Sequence, residues 1–296
     1  MASTQDLKRR VRSISNTRKL TRALELVASA RLRRAQMRIE SMRTYADRMQ
    51  ELVAGTAKAA GAVRLPLLER RDNVQTVGIV TVTGDRGLAG AFNAQVLRRA
   101  FALQRELQGE GKTVRFFAVG RKATSTVRFR RFDLAGSWTG FADKPSYPDA
   151  QAIAHAVIEA YVNGEVDRVI LIYNSFVSAL VQRVTVADLL PIPTEALESE
   201  EAQTEEAGHP MDFYFEPEPR NILERLLPVY VETQLYRALL DSGASFFAAQ
   251  MTAMRNASKS AGELIDTLTL AMNRARQAEI TQEILEVVAG ADALTQ

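Results

Sequence analysis

The sequence predicts an α/β fold combined with a long antiparallel coiled coil, in which a Rossmann-like α/β domain lies between N- and C-terminal helices that pair with each other. Three observations predict this fold. Residues 1–54 contain neither proline nor glycine, apolar residues recur in both terminal segments at intervals of three and four, and the intervening segment alternates β-branched runs with helical patterns. We expect an N-terminal helix over 1–65, an α/β domain over 66–215 with an acidic loop near 195–210, and a C-terminal helix over 216–296.

The N-terminal helix is predicted by its heptad spacing. Its apolar positions are Leu7, Val11, Ile14, Leu20, Leu24, Val27, Leu32, Ala35, Ile39, Met42, Ala46, Met49 and Val53. Alternating steps of three and four form the seam of a coiled coil. At 1.5 Å per residue, a helix over 7–53 would be roughly 70 Å long, so we expect it to need a partner helix.

The C-terminal segment provides that partner. It contains no proline after Pro228, which predicts a helix over 229–294. The predicted seam positions are Phe247, Met251, Met254, Ser258, Ala261, Ile265, Leu268, Met272 and Ala275. Two long seams at opposite ends of one chain favour an intramolecular antiparallel pair.

The middle of the chain predicts a largely parallel sheet. Three apolar runs read as buried strands, one alternating run reads as an edge strand, and two segments between them read as helices. The predicted strands are 77–83, 114–119, 169–173 and the edge strand 181–190, and the predicted helices are 92–108 and 150–162. We expect Trp138 to anchor an irregular loop in the core and His155 to be a packing residue.

Composition and charge exclude several classes of site. The chain has no cysteine, which excludes disulfides and thiol catalysis, and only two histidines, which excludes a histidine-rich metal site. Residues 1–50 carry 13 Lys and Arg against 4 Asp and Glu, whereas 195–218 carry 9 acidic residues and no basic one. Such a division predicts different partners for different parts of the chain. The basic, Ser-rich start resembles a transit peptide, but we expect it to belong to the mature helix, because the pattern continues unbroken.

The glycines after the first predicted strand raise the possibility of a nucleotide site. Gly84, Gly87 and Gly90 form a GxxGxxG pattern, whereas the dinucleotide fingerprint is GxGxxG. Asp85 would repel a phosphate, and the chain contains no GxxxxGK[ST] motif. These residues favour a tight turn between a strand and a helix over a nucleotide-binding enzyme.

The basic N-terminal helix has three interpretations: a nucleic-acid-binding arm, the charged flank of a coiled coil, or a surface for an acidic protein partner. Aromatic residues are not interleaved with its cations, and a nucleic-acid arm would leave the apolar seam unburied. The residues therefore argue against the nucleic-acid arm and leave the other two interpretations open.

Three segments resemble the γ subunit of F-type ATP synthases. They are NTRKLTRALELVASARLRRA at 16–35, TGDRGLAGAFN at 83–93, and NRARQAEITQEILEVVAGA at 273–291, and they lie in the order of that family. The turn differs from the usual DRGLCGGFN at Ala89 and Ala91, and Leu24 and Leu26 stand where many members have Met. The cysteine-bearing regulatory insertion of chloroplast members is absent.

The resemblance implies a non-catalytic rotor subunit with no cofactor or metal. It implies a coiled coil inside a ring of α and β subunits, an α/β domain against the ε subunit and the membrane c-ring, and coupling of ion flow to ATP synthesis or hydrolysis by rotation, with a part in regulating ATPase activity. The resemblance implies neither nucleic-acid binding nor a membrane span, and it implies a location on the cytoplasmic face of a bacterial plasma membrane. The positions implied to contact β are Arg276, Gln277, Arg18, Lys19, Arg22, Arg31, Arg33 and Arg34, and those implied for the foot at the c-ring and ε are Phe213, Tyr214 and Glu216.

Overall fold

The computed structural model of the chain describes residues 4–61, 65–193 and 218–294. Within those ranges it forms five α-helices and five β-strands. In chain order these are α1 Thr4–Ala60, β1 Thr76–Val82, α2 Phe92–Gly109, β2 Thr113–Val119, α3 Arg121–Phe129, β3 Leu134–Trp138, α4 Tyr147–Val162, β4 Arg168–Phe176, β5 Gln182–Leu190 and α5 Pro219–Leu294. The predicted fold class is confirmed.

The chain divides into two compact units. Met1–Ser29 and Gln250–Gln296 form unit 1, and Ala30–Ala249 forms unit 2, so both α1 and α5 contribute to each unit. The division into three regions stays a prediction, and the predicted acidic loop near 195–210 lies outside the described residues.

Unit 1 is an antiparallel helix pair. The hydroxyl of Thr4 donates to the carboxylate of Glu279 at 2.8 Å, and the guanidinium of Arg255 donates to Glu25 at 3.0 Å. As residue numbers rise along α1 they fall along α5, which is the predicted antiparallel arrangement. In the described part of the chain, no helix combines the length and apolarity that crossing a membrane requires.

Unit 2 is built on a five-stranded sheet with the order β3-β2-β1-β4-β5. Neighbouring strands run parallel from β3 to β4, and β5 lies at the edge, so the predicted largely parallel sheet and its edge strand are confirmed; β5 pairs antiparallel with β4. The central strands β1 and β4 carry runs of fully buried apolar residues because helices cover both faces of the sheet. Helices α2 and α3 cover one face, and α4 packs with parts of α1 and α5 on the other.

Three sequence predictions in unit 2 are wrong. Trp138 ends strand β3 instead of lying in an irregular loop, and its ring stacks on Phe117 with centroids 6.5 Å apart. His155 is exposed, and its Nε2 lies 3.7 Å from the Oε1 of Glu232, so it is a surface group and not a packing residue. Helix α5 begins at Pro219, nine residues before Pro228, and not after that proline at residue 229 as predicted.

The start of α5 is explained by burial on both sides of the proline. Leu223 and Leu227 precede Pro228, Val231 follows it, and all three are at most 1% exposed in the core of unit 2. A proline inside a helix costs about 3 kcal/mol, whereas burying each large aliphatic side chain contributes about 1.5–3 kcal/mol. The apolar contacts therefore outweigh the lost backbone hydrogen bond.

Candidate functional site

The crevice where parallel α/β sheets bind ligands is filled by the protein itself. Such ligands bind at the carboxyl ends of the strands, where the strand order reverses, which here is beside β1. The ring of Phe246 from α5 occupies that position and is 3% exposed. A Cβ placed on Gly84 would lie 2.9 Å from this ring. The remaining cavity is about 10 Å³, which is at most the space of one water and excludes a nucleotide.

The turn after β1 instead organises the neighbouring loops through Asp85. One carboxylate oxygen accepts the backbone N–H of Arg121 at 2.9 Å, and the other accepts those of Gly140 at 2.9 Å and Ala142 at 3.0 Å. Asn93 closes the turn, since its side-chain oxygen accepts the N–H of Gly84. The GxxGxxG segment is therefore a structural turn, as the sequence analysis favoured.

The seam of unit 1 differs from the predicted one on α1. Leu20 and Val27 were predicted to be seam residues, but they are 61% and 48% exposed. Thr21, Glu25 and Ala28 are buried in their place. They continue the four-and-three spacing that starts at Leu7 and reaches Leu32, and three positions of that register, Arg18, Thr21 and Glu25, are polar. The predicted seam on α5 is buried or half-buried throughout its length.

Glu25 is a buried carboxylate held by two arginines whose own side chains are largely exposed. Its Oε1 accepts a hydrogen bond from the Nε of Arg255 at 3.0 Å, and its Oε2 accepts one from the Nη1 of Arg22 at 2.8 Å. The hydrogen bond from Arg255 lowers the pKa of the Glu25 carboxyl, with a further contribution from Arg22, against the opposing effect of burial. The carboxylate is thus ionised, although its residue is only 5% exposed.

The cations predicted to contact a partner fall into two groups. Lys19, Arg33 and Arg34 are exposed, and so are Arg18 and Arg22, although Arg22 also pairs with Glu25. Arg31 is used within unit 2: its Nη1 lies 3.6 Å from the Oδ2 of Asp143, and its guanidinium lies 5.7 Å from the ring centroid of Phe247.

The remaining predicted positions lie towards the C-terminal end. Arg276 and Gln277 are both exposed on α5, and the carbonyl of Gln277 accepts a hydrogen bond from the hydroxyl of Thr281. The predicted foot residues Phe213, Tyr214 and Glu216 lie outside the described residues.

Unit 1 exposes many large apolar side chains, five of them on the paired part of its helices and five on α5 beyond Glu279, which contacts the first described residue of α1. The exposed members are Leu20, Leu26, Val27, Leu264, Leu270, Ile280, Ile284, Leu285, Val287 and Val288. A helix pair that stays in water normally has a polar outer surface, and apolar surface of this extent marks an interaction site. Leu20 and Val27 were predicted to lie in the seam, and the other exposed apolar residues were not predicted to form a surface. The sequence signal that identifies Leu20 and Val27 as surface residues is the heptad spacing of α1 when it is continued through Thr21 and Glu25.

Within the described ranges there is no cluster of three or more His, Asp or Glu side chains that could hold a metal ion. The geometry therefore offers two kinds of feature: a filled crevice in unit 2, and a helix pair in unit 1 with exposed cations and an apolar exterior. Of these two, the apolar exterior marks a surface that contacts other chains.

Comparison with known proteins gives consistent matches over the whole length. The family profile described as ATP synthase matches residues 3–294. A protein named ATP synthase gamma chain from Rubrobacter xylanophilus is 47% identical over 99% of both chains. One of the same name from a Nostoc species is 42% identical over the full length of both chains.

Solved structures agree at the level of the fold. A chain from the central stalk and c-ring of the Tetrahymena thermophila mitochondrial ATP synthase is 25% identical, with a TM-score of 0.59 over 81% of this chain and 99% of that one. A chain from the Euglena gracilis mitochondrial enzyme has a TM-score of 0.64 at 16% identity, over 98% of this chain and 94% of that one.

Proposed function

The chain belongs to the γ-subunit family of ATP synthases, and from this premise we propose that it is the central rotor stalk of an F-type ATP synthase. It couples ion flow through a membrane c-ring to ATP synthesis or hydrolysis in a ring of α and β subunits by rotating within that ring. It carries no active site of its own, and the chemistry of ATP takes place in the surrounding subunits.

The observation that carries this proposal is the apolar exterior of unit 1. Ten large aliphatic side chains are between 44% and 72% exposed, and five of them, between 280 and 288, lie on α5 beyond the level of Thr4. Burying an apolar side chain of this size contributes about 1.5–3 kcal/mol, so the helix pair gains stability when other chains enclose it. A ring of subunits around the shaft provides such an enclosure, whereas a helix pair exposed to water does not.

Rotation of an asymmetric shaft can make equivalent sites unequal. A ligand or partner shifts an equilibrium only by its differential affinity for the two states, and a tenfold shift takes about 1.4 kcal/mol. The exposed cations of α1 lie on particular faces of the helix, so each ring subunit meets a different surface at a given angle. We assign Arg18, Lys19, Arg22, Arg33 and Arg34 to contacts with acidic β-subunit loops.

Arg31 and the foot residues have roles other than contact with β. Arg31 already contacts Asp143 and Phe247, so we expect it to act mainly by holding α1 in unit 2. Phe213, Tyr214 and Glu216 are proposed as the foot that meets ε and the c-ring, which would place the chain on the cytoplasmic face of the bacterial plasma membrane as a peripheral subunit.

The proposal is tested at Arg276 and Gln277. Both side chains are exposed on α5, and arginine and glutamine can together donate to and accept from a β-subunit loop. One partly desolvated, charge-assisted hydrogen bond is worth about 1.5–3 kcal/mol, which corresponds to about 10- to 150-fold in rate. Because several contacts share the torque, we expect the double change to alanine to lower ATP hydrolysis by the assembled complex about tenfold.

A matched control replaces Arg274 and Gln282 with alanine. These residues have the same chemistry and are also exposed, but at 100° per residue each lies on about the opposite face of α5 from its counterpart. We expect the control complex to keep its ATPase rate and both complexes to assemble with the same subunit composition. An unchanged rate in a fully assembled Arg276→Ala, Gln277→Ala complex would remove these residues from the torque-bearing surface.

A further inference from the structure

Within the described residues of unit 1, a buried carboxylate of α1 pairs with a cation of α5. Glu25 lies in the seam of α1, and its Oε1 accepts the hydrogen bond from Arg255 of α5. The contact from Arg22 comes from the same helix, three residues away. Arg255 therefore provides the interhelical half of the cluster and Arg22 the intrahelical half.

The apolar seam around Glu25 discriminates poorly between alternative alignments. On α5 the seam positions near this level are Met251, Met254, Ser258 and Ala261. These side chains are small or flexible, and neither kind locks into one fixed packing arrangement. A shift by a whole heptad keeps every seam position in the seam, so apolar contacts alone allow the helices to slip by seven residues.

The charged contact does not survive such a slip. A shift of α5 by one heptad would bring residue 262 or residue 248 to the level of Arg255, and these are Gly262 and Ala248. Neither side chain can donate to a carboxylate. Glu25 would then stay buried with its interhelical partner missing, which is strongly unfavourable for an ionised group.

We propose that the Glu25–Arg255 pair fixes the register of the coiled coil. The pair acts as a positioning contact: it selects one alignment among several that the apolar seam tolerates, as single buried polar residues do in other coiled coils. A one-heptad slip moves one helix along the other by about 10 Å, which would displace every exposed residue of α5 relative to α1. The proposal does not depend on the proposed function, because its readout is the alignment itself.

The test is disulfide cross-linking in the full chain, which has no native cysteine to compete. Gly262 lies beside Arg18, and counting four residues outward along each helix brings Ile14 level with residue 266. A cysteine at Ile14 is paired in separate variants with one at Ile265 for the native register, or with one at Ser258 or Met272 for the two slipped registers. With the native pair of charges, we expect only the Ile265 variant to cross-link efficiently.

Removing the charged contact should release the register. In the Glu25→Leu, Arg255→Met background we expect the yield of the Ser258 and Met272 cross-links to rise about tenfold, which corresponds to about 1.4 kcal/mol of lost preference. The reversed pair, Glu25→Arg with Arg255→Glu, should restore the native pattern. Arg22→Met is the matched control, because it removes a cation of the same cluster that does not cross between the helices, and it should leave the pattern unchanged.

Two results would overturn the proposal. One is a folded Glu25→Leu, Arg255→Met chain that still cross-links only through the Ile265 variant. The other is a reversed pair that slips as readily as the apolar one, since this would show that opposite charges are not what selects the register. If circular dichroism shows that the apolar variant has lost its helices, Arg255→Met gives the same reading, because it removes the interhelical donor in every register, and native-only cross-linking in that variant counts against the proposal.

Discussion

Replacing Asp85 with alanine should loosen the loops at the carboxyl edge of the sheet. The carboxylate of Asp85 accepts three backbone N–H groups, from Arg121, Gly140 and Ala142, at 2.9–3.0 Å. Each such bond contributes about 0.5–1.5 kcal/mol net, and only the bond to Ala142 is partly buried. We therefore expect unit 2 to lose about 2–4 kcal/mol of unfolding free energy.

The single tryptophan makes this loss measurable. Trp138 lies in unit 2, and its carbonyl accepts the N–H of Gly120, close to the loops that Asp85 holds. Unfolding in urea can be followed by the fluorescence of Trp138 in the full chain, without interference from unit 1. With a urea slope of about 2–3 kcal/mol per M, the expected loss lowers the midpoint by about 1–2 M.

Two variants calibrate the measurement. Asp85→Asn keeps one oxygen acceptor, which can serve Gly140 and Ala142 but not Arg121 as well, so we expect a smaller loss than for alanine. Asp72→Ala removes an exposed carboxylate of the same unit that makes no side-chain hydrogen bond within the described residues, and it should be neutral. If Asp85→Ala unfolds at the same urea concentration as Asp72→Ala, the three hydrogen bonds do not stabilise the loops as argued.

Two further changes test the packing of unit 2. Gly84→Ala places a Cβ 2.9 Å from the buried ring of Phe246 and should destabilise by about 1–3 kcal/mol, whereas Gly87→Ala meets nothing within 4 Å and should be neutral by the same urea assay. Burial raises the pKa of the Asp241 carboxyl despite nearby arginines and the hydrogen bond from Ser175, so the folded state loses stability as pH rises above the ordinary value near 3.9. Asp241→Asn cannot ionise and should raise the melting temperature at pH 7, by about 2–4 °C per kcal/mol gained, with no gain near pH 3; an equal gain at both pH values would contradict the ionisation argument.

The coiled coil could be predicted from its spacing, but its contacts could not. The seam of α1 was predicted at Leu20 and Leu24 because these residues are apolar, whereas Thr21 and Glu25 beside them are polar. Periodicity arguments assign polar residues to the surface, and they fail where a buried charge has a partner on another helix. Arg255 is 230 residues away from Glu25, so nothing local to α1 indicates that a carboxylate can be buried there.

The α/β unit shows the same limit at its edge. Strands β1, β2 and β4 were predicted because burial on both faces requires continuous apolar runs. Strand β3 was missed because its sequence, LAGSW, is short and contains glycine, and α3 was missed because few of its residues are apolar. These two elements are defined by pairing with β2 and packing on it, which are tertiary contacts.

The predicted cations illustrate how far a surface can be predicted. Exposure of Lys19, Arg33 and Arg34 follows from the abundance of charge on α1, since charged residues are rarely buried without a partner. Arg31 makes a contact within the chain because Asp143 lies near it, and only the fold of unit 2 brings these two residues together. The sequence predicts the positive charge of α1, but it does not predict which of its cations make contacts within the chain and which are left for a partner.

Unit 1 combines a charged group inside its seam with leucines outside it. Each choice alone is unfavourable for a helix pair in water, because a buried ion pair is often no better than an apolar contact and an exposed aliphatic side chain forgoes its burial energy. Both choices favour a helix pair that is enclosed by other chains: the exterior gains stability from the enclosing surface, and the interior needs specific alignment more than it needs additional stability. A shaft that must present the same exposed residues at each turn depends on that alignment, which is why we expect the Glu25–Arg255 pair to matter more for the geometry of the coiled coil than for its melting temperature.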